Sequence, residues 1–261
     1  MAAHDAPKGP DVAGLAVLLA STAEVEQSHF WFQGFRRFVR PMLDAAAQGR
    51  RDLVIVDCGA GTGNNLELLE RYGTPTGVEL TLAGARLAQR RGDRRMICGD
   101  VTALPIASAS IDLATSFDVL YCLPPAAERA ALSEMHRVLR PGGRVVLNVA
   151  AMPSLAGELG EFTQELRRYT RRGLVAALEG AGLTVMRATY TNAATVPLVA
   201  AVRAMQRRGL LRSGGQHARD LQTPAAPINA VLSAALAAES ALLRVMNMPI
   251  GSSLLALARK D

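Results

Sequence analysis

The chain has 261 residues, enough for one large α/β domain with an appended element and too few for two independent enzymes. Its hydrophobic fraction is 49%, but no apolar run approaches the roughly 18 to 20 residues that cross a bilayer, so we expect a water-soluble protein without a transmembrane segment. The net charge of +6 comes almost entirely from arginine and aromatic residues make up only 4% of the chain, which argues against a nucleic-acid partner.

The N-terminal region, residues 1–50, is expected to form a helical cap over the core. Residues 12–20 are apolar and small residues follow, but Asp5 and Asp11 are unlike the positive leader of a signal peptide. The three cysteines of the chain are odd in number and match no disulfide or metal-ligand spacing, so we expect a cytoplasmic protein without a metal site.

Strands and helices alternate through residues 51–192, which we interpret as the core domain. Residues 193–246 read as a helical insertion with an exposed loop at 213–227, and residues 247–261 carry the last strand. The pattern predicts a doubly wound, mostly parallel, seven-stranded α/β sheet. The predicted strands are 53–57, 76–80, 95–98, 111–117, 144–149, 183–190 and 253–258, and the clearest helices are 126–139 and 170–179.

A glycine-rich loop follows the first predicted strand and leads into a helical pattern that begins at Asn64. Its glycines, Gly59, Gly61 and Gly63, permit close approach of a ligand to the backbone. Dinucleotide-binding sites use a related loop, but their third glycine would fall at Asn64. The Gly-x-Gly-x-Gly spacing after Asp57 and Cys58 therefore favours a different nucleotide-like ligand.

Acidic residues end the next two strands, where they would face the same ligand. Glu79, in Gly77-Val78-Glu79-Leu80, is placed to accept both hydroxyls of a ribose. Asp100, followed by Val101, is placed to accept from an adenine amino group. The fourth strand ends in Phe117-Asp118-Val119-Leu120 at the same edge of the sheet.

Five segments in register resemble the motifs of class I S-adenosylmethionine-dependent, small-molecule methyltransferases: VDCGAGTG, GVEL, GDVTALP, IDLATSFDVL and MHRVLRPGG. The resemblance covers residues 53–150 and implies S-adenosylmethionine as cofactor. It places the methionine and ribose moieties on the glycine loop, ribose on Glu79, adenine between Asp100 and Val101, and the sulfonium near Phe117. The implied cofactor-binding residues are Asp57, Cys58, Gly59, Gly61, Gly63, Asn64, Glu79, Leu80, Asp100, Val101 and Phe117.

A looser resemblance to one subfamily supplies candidate catalytic residues. It rests on His29-Phe30-Trp31-Phe32 near the N-terminus and on Arg167-Arg168-Tyr169-Thr170. Relatives often have histidine where Glu165 stands, so an acid–base role of that histidine cannot be carried over. Relatives commonly have Glu-His where Tyr121 and Cys122 stand, which alters the wall nearest the transferred methyl and suggests a different acceptor. We take Tyr121, His29 and Tyr169 as candidates; packing over the cofactor explains His29 almost as well, and a solvated helix start explains the Arg168–Tyr169 pair equally well.

The sequence thus predicts a methyltransferase that moves a methyl group by in-line displacement onto a small, largely apolar acceptor. The alternatives are a catalytically silent S-adenosylmethionine-binding module and, from another class, a nicotinamide-dependent oxidoreductase.

The insertion, residues 193–246, is expected to cover the acceptor side through an apolar face. Core packing, a homodimer interface or peripheral membrane contact also fits this face, and both a monomer and a homodimer stay open. Glu239 interrupts this face and is expected to reach its edge or a cationic partner. The apolar face comprises Ile228, Val231, Leu232, Leu236, Leu242, Leu243 and Met246.

Overall fold

A computed structural model describes residues 11–92, 95–156, 164–207 and 223–261. Seven strands form one sheet, which confirms the predicted fold class. The strands are β1 (Leu53–Cys58), β2 (Gly73–Glu79), β3 (Arg95–Cys98), β4 (Ile111–Phe117), β5 (Leu139–Ala150), β6 (Leu183–Thr191) and β7 (Ser253–Lys260).

The strand order is β3-β2-β1-β4-β5-β7-β6, with β1 to β5 parallel and β7 antiparallel to both of its neighbours. The order reverses direction at β1, so the loops after β1 and β4 diverge at a topological switch point, where open α/β sheets bind ligands. In the register, Asp57 lies beside Gly77 on one side and Thr115 on the other. The carboxyl ends of the central strands therefore lie at one edge of the sheet.

Helices cover both faces of the sheet. One face packs against α5 and α6, and the other packs against α2, α3 and α8, with Ile55 of β1 and Leu113 of β4 fully buried. Apolar residues point to both faces of the central strands, as expected for a parallel sheet that is covered twice. The helices are α1 (Val12–Val25), α2 (Phe30–Ala47), α3 (Asn64–Leu69), α4 (Leu82–Arg90), α5 (Pro125–Val138), α6 (Arg171–Gly180), α7 (Val196–Arg207) and α8 (Ala226–Leu242).

Three predicted boundaries need correction. Strand β2 begins at Gly73, three residues earlier than the apolar pattern indicates, because it pairs with β1 along its whole length. Strand β5 already begins at Leu139, since Leu139 pairs with Ile111 before the Pro-Gly-Gly segment. The loop predicted at 213–227 ends by Ala225, where α8 follows, and its residues 213–222 lie outside the described residues.

The apolar face of α8 is divided between the core and the surface. Leu236 and Leu243 are buried in the cluster beneath α2, whereas Val231 and Leu242 are 69% and 48% exposed. Ile228 and Met246 are exposed as well. The core-packing alternative therefore holds for part of the predicted apolar face, because α8 packs along α2 and buries only the residues that point towards it.

The expected environment of Glu239 is also wrong. Its carboxylate is 5% exposed and accepts from the backbone N–H groups of Ala193 and Ala194, both at 3.0 Å. These amides open the short 3₁₀ turn Ala193–Thr195 that precedes α7, so unpaired donors at a helix start satisfy the carboxylate in place of a cation.

In the part of the chain that the structure describes, no helix combines the length and the apolar character needed to span a membrane.

Candidate active site

The glycine loop lies between the end of β1 and the start of α3. Gly59, Gly61 and Gly63 have φ values of 85°, 53° and 73°, a region that side chains rarely adopt. A Cβ on Gly59 would lie 2.3 Å from Val119 in the turn after β4, so the loop packs closely against that turn. A Cβ on Gly61 would lie 3.1 Å from Leu19 of α1. The loop thus exposes its backbone to a space that α1 covers.

Glu79 lies at the end of β2, 4% exposed, and faces the loop. Its Oε2 accepts from the Gly61 N–H at 3.0 Å, and its Oε1 accepts from the N–H and the hydroxyl of Thr81 at 2.9 and 2.8 Å. The carboxylate is therefore fixed in orientation beside the glycine loop. Oε2 accepts only one of these bonds and keeps an acceptor site, so Glu79 can still accept from a ligand hydroxyl.

Asp57 is buried beneath the loop at 1% exposure. The Thr115 hydroxyl donates to its Oδ1 at 2.7 Å. Burial raises the pKa of Asp57 to about 7; the bond from Thr115 opposes this shift and the charge of Glu79 adds to it. Cys58 is fully buried next to it, so these two residues support the loop from below.

The remaining predicted cofactor-binding residues lie around the same edge. Asp100 is exposed after β3 and accepts from the Thr102 N–H at 2.8 Å, while Val101 is buried. Leu80 is 37% exposed, and Phe117 is 7% exposed with its ring edge-on to Phe35 of α2 at 5.1 Å. Their positions suit an adenine subsite on one side of the loop and an apolar wall on the other.

The N-terminal cap is fastened to the glycine loop by polar contacts. Glu26, 3% exposed at the end of α1, accepts from the Thr62 hydroxyl at 2.8 Å, and the Arg91 guanidinium lies 2.5 Å from its other oxygen. Asn64 accepts from Gln27 at 2.8 Å and more weakly from Arg91 at 3.4 Å. The side chain of Asn64 thus joins the cap to the loop, a role that its place in the motif does not indicate.

The three candidate catalytic residues have different environments. His29 caps α2: its Nδ1 accepts from the Trp31 N–H at 3.1 Å, and burial lowers its pKa. Tyr169 is 6% exposed in the core, and its hydroxyl donates to Glu128. Tyr121 is partly buried just after β4, where burial holds its pKa well above the usual value. Of the three, Tyr121 has the position best suited to face an acceptor.

Two residues that the motif analysis did not assign adjoin Tyr121. Asp118 follows β4 with a φ of 62°, and its Oδ1 accepts from Asn148 of β5 at 2.8 Å. The sequence places Asp118 at the ligand-binding edge, but Asn148 comes 30 residues later and reaches it only through the pairing of β4 with β5.

Residues 56–147 match a family described as "Methyltransferase domain". The chain is 34% identical over 146 residues to demethylmenaquinone methyltransferase of Renibacterium salmoninarum, covering 54% of this chain and 57% of that protein. It is 32% identical over 148 residues to malonyl-[acyl-carrier protein] O-methyltransferase of Pseudescherichia vulneris, covering 54% and 55%. The chain thus spans somewhat over half the length of these relatives.

One solved structure with a similar fold is the 1,6-didemethyltoxoflavin-N1-methyltransferase of Burkholderia thailandensis, with bound 1,6-didemethyltoxoflavin and S-adenosylhomocysteine. It is 21% identical with a TM-score of 0.56, and the alignment covers 100% of this chain and 94% of that one. At this identity the likeness supports the fold. The sequence match thus identifies residues 56–147 as similar to a methyltransferase domain, and the fold of the chain agrees with that similarity.

Proposed function

We propose that the protein transfers a methyl group from S-adenosylmethionine, by in-line displacement, to a small and largely apolar acceptor. The observation that carries this proposal is the hydrogen bond between the glycine loop and Glu79. The Gly61 N–H donates to the Glu79 carboxylate at 3.0 Å, and the backbone of the loop faces the space under α1. This arrangement fits a nucleoside whose ribose hydroxyls meet Glu79 and whose remaining groups lie along the loop.

The residues that would hold the cofactor divide by chemistry. Backbone groups of Gly59 to Gly63 approach the methionine and ribose moieties, Glu79 accepts from the ribose hydroxyls, and Asp100 with Val101 frames adenine. When bound, S-adenosylmethionine supplies an electrophilic methyl group on a sulfonium. The chain aligns the acceptor with that methyl group and excludes water.

An apolar acceptor is supported by the walls of the site. Phe117 and Phe35 pack edge-on beside the end of β4, and α1 brings Leu19 over the glycine loop. The two curated relatives are named for different acceptors, demethylmenaquinone and a malonyl group on an acyl carrier protein, so their acceptors are not transferred to this chain. We propose that residues 1–50 and 193–246 cover the two sides of the site.

Calorimetry with S-adenosylhomocysteine, S-adenosylmethionine and NAD tests the cofactor assignment. We expect both sulfur nucleosides to bind and NAD not to bind. Glu79→Gln should weaken binding at least tenfold, because charge-assisted hydrogen bonds are worth about 1.5 to 3 kcal/mol each and 1.4 kcal/mol corresponds to a factor of ten. Glutamine has a single acceptor oxygen, so its amide nitrogen must face the donors of either Gly61 or Thr81. We therefore expect a lower melting temperature with the fold retained, and affinity is measured well below that temperature.

Glu179→Gln, at an exposed position of α6, is the matched control and should leave affinity unchanged. Binding of NAD without either sulfur nucleoside would overturn the assignment. Binding of S-adenosylmethionine without methyl transfer to any of a mixed panel of tritium-assayed acceptors would favour the silent binding module instead.

A further inference from the structure

Asp118 occupies a conformationally special position at the mouth of the site. It is the first residue after β4, and its φ of 62° lies in the left-handed region that aspartate and asparagine tolerate better than most side chains. Its N–H donates to the Asn148 carbonyl at 3.0 Å, and the Asn148 amide donates to its Oδ1 at 2.8 Å. These two bonds to one residue of β5 fix both the backbone and the carboxyl group.

The carboxyl group of Asp118 is accessible from solvent. The residue is exposed, and the protein around it raises its pKa to about 7. Asn148 favours the ionised form of Asp118, and the nearby charge of Glu165 disfavours it.

The charged and titratable groups that face Asp118 come from its own turn and from the segment before α6. Tyr121 and Cys122 follow it in the turn, and burial raises the pKa of each, with the charge of Asp118 contributing. Glu165 accepts from Arg168 through both oxygens at 2.7 and 2.8 Å, and Arg168 also donates to the Ala151 carbonyl at 3.1 Å. The negative charge of Glu165 is therefore largely engaged by Arg168.

The other acids of the site are committed to protein partners. Asp57 is buried under the loop with Thr115, Glu79 holds Gly61 and Thr81, and Glu128 binds Tyr169 and Arg167. Asp118 differs from these three acids because it is exposed; Asp100 is exposed too, but it follows β3 at the proposed adenine subsite. Among the described residues, side-chain donation to it comes from Asn148 at Oδ1, which leaves Oδ2 for a proton from an acceptor.

We propose that Asp118 is the general base of the acceptor subsite and that the acceptor methylated by this protein carries a weakly acidic hydroxyl group, such as that of a phenol or an enol. This inference rests on the proposed function. The hydroxyl O–H bond breaks and its proton passes to Asp118 Oδ2, while the acceptor oxygen forms a bond to the methyl carbon. The methyl–sulfur bond breaks and its electron pair stays on sulfur, and Asp118 later releases the proton to water.

Asp118→Asn is the decisive variant because asparagine has the same shape, tolerates the left-handed conformation and cannot take up the proton. With tritium-labelled S-adenosylmethionine and a panel of simple phenols, the wild type should show a kcat/KM that rises with pH through about 7. The variant should lose about 100-fold or more in transfer and lose this pH limb, since general base catalysis contributes 10²- to 10⁴-fold. Binding of S-adenosylhomocysteine should be retained.

Asp52→Asn, at an exposed acid before β1 on the opposite edge of the sheet, is the matched control and should change neither rate nor pH profile. A second readout requires no turnover. Protein labelled with ¹³C at the aspartate carboxyl carbons is followed by NMR as the pH is varied, with S-adenosylhomocysteine present and with or without 4-nitrophenol. We expect two resonances that titrate near pH 7, assigned by Asp57→Asn and Asp118→Asn, and we expect 4-nitrophenol to shift only that of Asp118.

The outcomes are distinguishable. Absence of S-adenosylhomocysteine binding to the wild type would defeat the proposed function itself. With binding intact, an Asp118 resonance that does not respond to 4-nitrophenol would overturn the role of Asp118. Transfer by Asp118→Asn within threefold of the wild type, with the same pH profile, would overturn it as well.

Discussion

Asp57 is an unusual support for a binding loop because it is an acid buried with a single hydroxyl partner. Its pKa is raised from 3.8 to about 7, so between these values the folded chain binds a proton that the unfolded chain has released. The contribution of Asp57 to stability is therefore greatest below about pH 3.8 and is lost as the pH rises through about 7.

Replacement of Asp57 by asparagine should remove the free-energy cost of burying an ionised carboxylate at neutral and higher pH. The amide oxygen still accepts from Thr115, and no charge has to be buried at neutral pH. We expect Asp57→Asn to be more stable than the wild type at about pH 8 and to lose most of that advantage at about pH 5, as measured by urea unfolding. An advantage of equal size at both pH values would show that Asp57 is ionised in the folded protein.

At the residue scale, motif spacing predicts which positions surround the cofactor but not how they are held. The glycine loop and Glu79 can be placed from the sequence because each follows a short apolar run. The partners of Asn64 cannot, since Gln27 and Arg91 reach it from segments 37 and 27 residues away. For Glu239, the sequence indicates that a buried acid needs a partner, but the backbone amides of Ala193 and Ala194 become available only in the folded chain.

At the scale of elements, α2 and α8 meet at a glycine. A Cβ on Gly34 would lie 2.5 Å from Leu236 Cδ1 and 3.2 Å from Leu236 Cβ, and Leu236 is fully buried there. This close approach explains why Leu236 belongs to the core and not to a detachable lid. Substitution of Leu236 and Leu243 by serine would therefore report on folding before it reported on acceptor binding.

Gly34→Ala should destabilise the protein by about 1 to 3 kcal/mol through overpacking, and Leu236→Ala by about 2 to 5 kcal/mol through a cavity. In the double variant the new methyl group enters the space that the leucine leaves, so the combined cost should be less than the sum. Urea unfolding measures all three. Gly180→Ala, where a Cβ meets nothing within 4 Å, and Leu242→Ala, at an exposed position, should each change stability by less than about 0.5 kcal/mol.

Strands β3 and β4 have the predicted bounds, and β1 extends one residue beyond its prediction. Strands β1 and β4 are short apolar runs buried on both sides, whereas no residue of β3 is buried. The buried residues of α8 could not be predicted in the same way, because α8 has more apolar residues than its contact with α2 buries. The pattern gives the number of apolar positions, but the position of α2 determines which of them are buried.

At the scale of the whole molecule, α1 differs from α2 because its end is fixed to the core by polar contacts. Helix α1 is apolar in composition, yet none of its residues is buried, and its end is fixed where Glu26 meets Thr62 and Arg91. Arg91 also donates to the Ala23 carbonyl at 3.0 Å. We expect that a helix held in this way can separate from the core without loss of the fold; α1 lies over the glycine loop through Leu19.

Arg91→Met should therefore affect ligand exchange more than stability. The substitution leaves the Glu26 carboxylate buried beside Thr62 without its ion-pair partner, with Arg36 as the remaining cation that acts on it. Burial already raises the pKa of Glu26 against the effects of Arg91 and Arg36. Movement of α1 away from Gly61 restores water to that carboxylate, so the open state gains population. We expect S-adenosylhomocysteine to dissociate at least tenfold faster in stopped-flow measurements, with a small change in melting temperature because α1 contributes no buried residue.

Arg90→Met, at the exposed neighbouring position, is the control and should leave the dissociation rate unchanged. A large drop in melting temperature with an unchanged dissociation rate would show instead that α1 is part of the folding core and does not control access to the loop.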